Sequence, residues 1–219
     1  MKKTAVLGTS LALVLGLALA QATVPKARLP VLTTSAGQSN DVNALNIVLE
    51  EAGILFDYCD VPSVEMVQAG VGLAGKESAA GFHVEVTTDL QKFPAGTPYK
   101  TAIFAIGASL KGMGASGLTV DAEEARVKKL VDYCKKNKVF LLAVHLGGEA
   151  ARGPAGSDNE RMIDAVAPFA DYLVVVKDSN KDGRFTKIAE KSKAPLTQID
   201  YALGLVEIVK NMFNRASQK

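Results

Sequence analysis

The side chains in this 219-residue sequence best suited to chemistry gather in a few short strings. Ser35-Ala36-Gly37-Gln38-Ser39 places hydroxyls, an amide and a glycine just ahead of a helical pattern. Hydroxyls and free backbone N–H groups in such a loop can converge on an anion or a polar group at the positive end of a helix. The same string can serve as an ordinary helix cap. His145 begins His145-Leu146-Gly147-Gly148-Glu149 at the end of an apolar run. It is a candidate general base with Ser39 or Ser109 as nucleophile, a candidate ligand contact, or a structural histidine. Ser109 and Lys111 lie in a Gly-rich stretch, residues 107–117. Arg152 follows in the next polar loop, with a side chain suited to gripping a carboxylate or phosphate, or to pairing with Glu149 or Asp158.

Metal and cofactor motifs are partial. Asp178-Ser179-Asn180-Lys181-Asp182-Gly183 matches the opening of a calcium loop, in which alternate oxygens converge on one hard cation. The closing acidic residue is replaced by Ala189, and Lys177, Lys181 and Arg184 oppose a cation. The alternative is a polar turn closed by Asx hydrogen bonds. Gly112-Met113-Gly114-Ala115-Ser116-Gly117 has the dinucleotide-loop string, but it starts five residues after Gly107 and no acidic residue ends a strand about 20 positions on. Two histidines, His83 and His145, without a nearby carboxylate–histidine pair argue against catalytic zinc. No G-x-S-x-G elbow is present to mark a serine hydrolase.

These residues need a scaffold, and the hydrophobic pattern predicts one. Apolar runs at 29–34, 54–58, 101–106, 139–144, 172–176 and 196–199 alternate with helical spacings at 42–49, 62–69, 121–134, 157–167, 185–191 and 201–213. Asp121 with Glu124, and Ser157 with Glu160, form capping boxes. Residues 82–87 alternate as an extra edge strand inside an irregular insertion, 70–100. Alternating strands and helices predict a three-layer α/β/α sandwich around a mostly parallel sheet, Rossmann-like or flavodoxin-like with strand order 2-1-3-4-5. Ligands in such sheets bind beyond the carboxyl ends of the strands. Long polar loops at 35–39, 107–117, 145–157 and 177–183 all fall at that edge.

Two further features bear on compartment. Lys2 and Lys3, the apolar run 5–20 and the small residues Ala18 and Ala20 have the order of a secretory signal peptide over 1–20, followed by a leader, 21–28, and a single domain, 29–219. Export would be to a periplasm or the extracellular space, with no membrane embedding after cleavage. Loss of Lys2 and Lys3 brings 25 basic residues to 23, equal to the 23 acidic ones. That balance excludes the basic excess expected of a nucleic-acid binder. Lys128, Lys129, Lys135, Lys136 and Lys138 read as a solvated face toward the end of a helix that starts with Glu123 and Glu124. Cys59 and Cys134 fall on elements that are not adjacent, so two buried thiols are expected rather than a disulfide.

Thr34 to Ser39 partly resembles the phosphate loop of flavodoxins, which would imply a flavin. It departs where Ala36 replaces the hydroxyl expected before the glycine, and 107–117 offers no aromatic to stack on the ring. Tyr99 to Gly107, His145 to Gly153 and Lys177 to Phe185 resemble an uncharacterised family of exported, single-domain α/β proteins; that resemblance implies no activity and no site residues. The expected function is binding of a small polar or anionic ligand by Ser35, Gly37, Gln38, Ser39, Ser109, Lys111, His145 and Arg152, without a cofactor, calcium and flavin being the alternatives. A cofactor-independent serine-type hydrolase and an envelope protein-interaction module are the competing functions.

Overall fold

The computed structural model describes residues 23–76 and 82–214. The signal peptide expected over 1–20 lies outside them. Among the described residues no helix is long and apolar enough to cross a membrane.

In chain order the elements are β1 Val31–Ala36, α1 Asp41–Glu51, β2 Asp57–Cys59, α2 Val64–Gln68, β3 Val84–Val86, β4 Thr101–Ile106, α3 Leu110–Ala115, α4 Val120–Lys136, β5 Phe140–His145, α5 Asp158–Val166, β6 Tyr172–Val176, α6 Arg184–Ser192, β7 Leu196–Ile199 and α7 Leu205–Met212. The strands form one sheet, ordered β3-β2-β1-β4-β5-β6-β7, with β3 antiparallel and the rest parallel. The expected order 2-1-3-4-5, which left the runs 82–87 and 196–199 unplaced, therefore gives way to a seven-stranded order that takes in both. The difference lies at the edges, where unpaired backbone groups recruit further strands: β3, from the 70–100 region, pairs with β2, and β7 pairs with β6.

The central strands β1 and β4 are buried along their whole length, as expected of a parallel sheet covered on both faces. Alternate side chains feed two cores. Val31, Ile103, Ala105, Leu142, Val144 and Val174 meet Leu45, Val48 and Leu49 of α1 and Leu205, Val209 and Met212 of α7. Leu32, Phe104, Ile106, Leu141, Ala143 and Leu173 meet α2, α4, α5 and α6. Each Val, Leu, Ile, Phe or Met among them contributes roughly 1.5–3 kcal/mol on burial. Cys59 and Cys134 are free, buried thiols in the second core, and burial pushes each thiol up to about 12.

Two local expectations change. The Gly-rich stretch after β4 is not an open loop: Ser109 Oγ accepts the Gly112 N–H (3.0 Å) and starts α3. The cap of α4 is Thr119, whose Oγ1 accepts the Ala122 N–H (3.1 Å), so Asp121 lies inside the first turn. The 70–100 region is anchored by one carboxylate. Asp57 on β2, fully buried, accepts from Gly72 N–H (2.8 Å), Thr88 N–H (3.3 Å) and the Tyr99 hydroxyl (2.5 Å).

Candidate functional site

The chain leaves β1 toward β2 on one side and returns in β4 on the other, so the order reverses between β1 and β4. That crevice is where open α/β sheets hold ligands. Here the two loops are drawn tightly together. Gly37 has φ +103°, and a Cβ on it would lie 2.4 Å from the Gly107 carbonyl oxygen. A Cβ on Gly112 would lie 2.2 Å from the Gln38 carbonyl oxygen. Ser109 N–H donates to Gly37 O (2.7 Å), and Gln38 forms an isolated bridge with Ala108. Gln38 itself is held in the left-handed region, at φ +59°, a strained conformation that concentrates at functional positions.

A side chain of the protein already occupies the place where a bound anion would meet this loop. Glu123, in the first turn of α4 and fully buried, accepts from Gly37 N–H (2.8 Å) and from Gln38 Nε2 (3.2 Å). Arg126, one turn on, holds the same carboxylate through both oxygens (2.7 and 2.8 Å) and donates to Ser35 O (2.9 Å). The pair neutralises itself and locks the β1 loop onto α4. The sequence reading missed Glu123 and Arg126 as site residues, because an acidic residue in a first helical turn has a sufficient local explanation in the helix dipole.

Beside this clamp lies a cleft of about 300 Å³ at the carboxyl ends of β2, β1 and β4. Ser35, Gln38 and Ser39 line it, and Tyr58, Asp60, Phe82, His83 and Ser116 join them. Tyr58 and His83 pack with ring centroids 5.5 Å apart. Burial raises the Tyr58 phenol well above its ordinary range, and Asp60 adds to the effect. Gln38 Nε2 also donates to Asp60 O (2.8 Å). Among the described residues its lining holds no lysine or arginine. Next to it, Asp41 opens α1 with a buried carboxylate oxygen, Oδ2, that has no hydrogen-bond partner among the described residues. Burial raises the Asp41 pKa, and a hydrogen bond from Gly147 opposes that rise.

The other expected site residues are placed elsewhere. His145 is fully buried. Its Nε2 faces Ala151 O (3.1 Å), which can only accept, so Nε2 carries the proton and Nδ1 accepts from the Ser179 hydroxyl (2.7 Å). Burial, with the charge of Arg152 adding to it, pushes its pKa down to about 4. The expected pairing of His145 with Ser39 or Ser109 is thus not formed: Ser39 Oγ accepts from Asp41 N–H (3.3 Å) and Ser109 Oγ caps α3. Lys111 is exposed on α3.

Arg152 binds Glu160 (2.6 Å) and Asp182 (2.9 Å), donates to Ser179 O, and lies 5.5 Å from the Phe185 ring centroid. Phe185 in turn packs on His145, at 5.1 Å. The expected calcium ligands are consumed by the same network. Asn180 Oδ1 accepts from Phe185 N–H (2.8 Å) at the start of α6, Asp182 grips Arg152, and Asp178 meets Lys181 (3.4 Å). A positive side chain therefore stands where a cation would need negative oxygens. No group of three or more metal-binding side chains occurs among the described residues.

No curated protein and no solved structure matches the chain. The family model of a domain of unknown function (DUF6305) matches residues 28–213, and the chain belongs to that family.

Proposed function

We propose that the protein is a binding module whose cleft at the carboxyl edge of β2, β1 and β4 takes a small, polar, uncharged ligand. The observation that carries this reading is the lining of the cleft. Ser35, Gln38, Ser39, Asn40, Asn43 and Ser116 supply hydroxyls and amides, Tyr58 and Phe82 supply aromatic faces, and among the described residues no lysine or arginine lines it to balance an anion. Its position at the reversal of strand order, where flavodoxin-like and Rossmann-like sheets bind ligands, supports the same reading. So does the left-handed backbone of Gln38. The anionic half of the original expectation is set aside for this cleft, because Glu123 holds the N–H group that an anion would need. With the signal peptide read in residues 1–20, the ligand would be met outside the cytoplasm.

The test is a thermal-shift screen of neutral sugars, polyols and amides beside phosphate, sulfate and citrate, followed by calorimetric titration. Ala115 lies on the exposed rim. Ala115→Phe should cut affinity for the bound neutral compound at least about tenfold while leaving the unfolding midpoint unchanged. Binding by anions alone, or an affinity indifferent to Ala115→Phe, would remove the cleft from the function.

A further inference from the structure

The opposite edge of the sheet carries a feature of a different kind. Lys26, Arg28, Lys100, Lys135 and Lys138 line a cavity of about 370 Å³ below the amino-terminal ends of β4 and β5, with Ala27, Val139 and Phe140 contributing apolar atoms. These cations come from four stretches of chain: the segment before β1, the residue before β4, the last turn of α4 and the turn before β5. Among the described residues, Asp171 is the one carboxylate in the lining. It is already engaged, by Lys135 at Oδ1 (2.7 Å) and by Leu141 N–H at Oδ2 (2.8 Å).

The backbone beneath the cations is fixed. Ala27 N–H donates to Met212 O (3.0 Å), and the Arg28 carbonyl accepts from Thr101 Oγ1 (2.7 Å). Lys100 N–H donates to Pro30 O, and its carbonyl accepts from Phe140 N–H (3.0 and 2.9 Å). Lys138 is set in the left-handed region at φ +56°. Arg126, Arg152, Arg161 and Arg184 all face carboxylates within ion-pair distance, whereas Arg28 meets none among the described residues. Lys100 and Lys138 likewise have no ion pair there. Like charges held together without counter-charge raise the local potential and favour an incoming anion.

We propose that this cup is a second binding site, for a multivalent phosphate group, formed by Arg28, Lys100 and Lys138 with Lys26 and Lys135 at its rim. Several cations on fixed backbone call for several anionic oxygens. The guanidinium matches a phosphate with paired hydrogen bonds, and lysine serves as a point charge. The same chemistry is offered by a soluble polyphosphate and by an anionic phospholipid headgroup.

The experiment titrates the purified protein with sodium tripolyphosphate by calorimetry and, separately, sediments it with vesicles of phosphatidylglycerol or of phosphatidylcholine. Arg28→Gln/Lys100→Gln/Lys138→Gln removes the unpaired cations. Lys76→Gln/Lys187→Gln/Lys191→Gln removes the same charge from exposed positions outside the cup. The expected result is salt-sensitive binding of tripolyphosphate or of phosphatidylglycerol vesicles, weakened at least about tenfold in the cup variant and unchanged in the control. Tripolyphosphate binding without vesicle binding assigns a soluble ligand. Vesicle binding displaced by tripolyphosphate assigns a headgroup. Failure to bind either probe, or equal loss in both variants, overturns the proposal.

Discussion

The two edges of the sheet use charge in opposite ways. At the carboxyl edge, Glu123 with Arg126 and Arg152 with Glu160 and Asp182 are ion-paired networks in which each charge faces an opposite one. Lys181 is likewise spent on Glu149 (2.9 Å). At the amino edge, Arg28, Lys100 and Lys138 surround a cavity without carboxylate partners among the described residues. The difference follows from loop length. The carboxyl-edge loops are long, and ordering each residue costs about 1–2 kcal/mol of backbone entropy, so they need internal staples. The amino-edge turns are short and are held by strand-to-strand backbone bonds, and among the described residues Arg28, Lys100 and Lys138 enter no ion pair there. A charged residue near a strand end therefore indicates binding capacity only where its charge is not already used for folding.

Removing the most buried staple should break this contrast most visibly. Glu123→Ala leaves Arg126 and the Gly37 N–H without their acceptor, and should destabilise the protein by roughly 3–5 kcal/mol in urea unfolding. A loss below about 1 kcal/mol would show that the clamp is not what orders the β1 loop.

The next effect is pH-dependent. His145 is neutral in the fold, with a pKa of about 4 against an ordinary 6.5. The unfolded chain takes up the proton first, so stability present above about pH 6.5 is lost as pH falls toward 4, by up to about 3 kcal/mol. His145→Gln should flatten that slope relative to the parent in unfolding measured across the window. An unchanged slope would place the titration elsewhere.

Arg152→Ala should cost about 2 kcal/mol, since Glu160 keeps Arg184 as a partner (2.6 Å) while Asp182 and Ser179 O lose theirs. Ligand affinity at the cleft should not change, because Arg152 does not line it. The smallest effect belongs to the amino edge. Arg28→Gln/Lys100→Gln/Lys138→Gln should shift stability by no more than about 0.5 kcal/mol, because those side chains are exposed and hold nothing in place. A loss as large as that of Arg152→Ala would make the cup a staple like those opposite.

Much of the architecture was legible along the chain. The apolar runs 101–106 and 172–176 coincide with β4 and β6, because buried parallel strands are continuous apolar runs whose signal is local, and 196–199 coincides with the edge strand β7. The helix from 121 onward was found by its acidic start and basic end, although its cap proved to be Thr119. Ser35, Gln38 and Ser39 were drawn to one cleft, since the strand–glycine–helix string defines its own geometry. His145 and Arg152 were not, since both are suited to catalysis or binding by residue type and their partners, Ser179 and Glu160 with Asp182, are chosen by packing.

Sequence by itself determined the alternation of strands and helices, the buried faces and the glycine turn after β1, all set by residues that are neighbours in the chain. Tertiary structure alone decided which charges would meet. Gly37 and Glu123 are 86 positions apart, Tyr99 and Asp57 are 42 apart, and the cup gathers Lys26, Arg28, Lys100, Lys135 and Lys138 from across the molecule. Periodicity and capping act over a few residues and are written locally. Whether a charge becomes a staple or remains open depends on which groups the fold brings within a few ångströms.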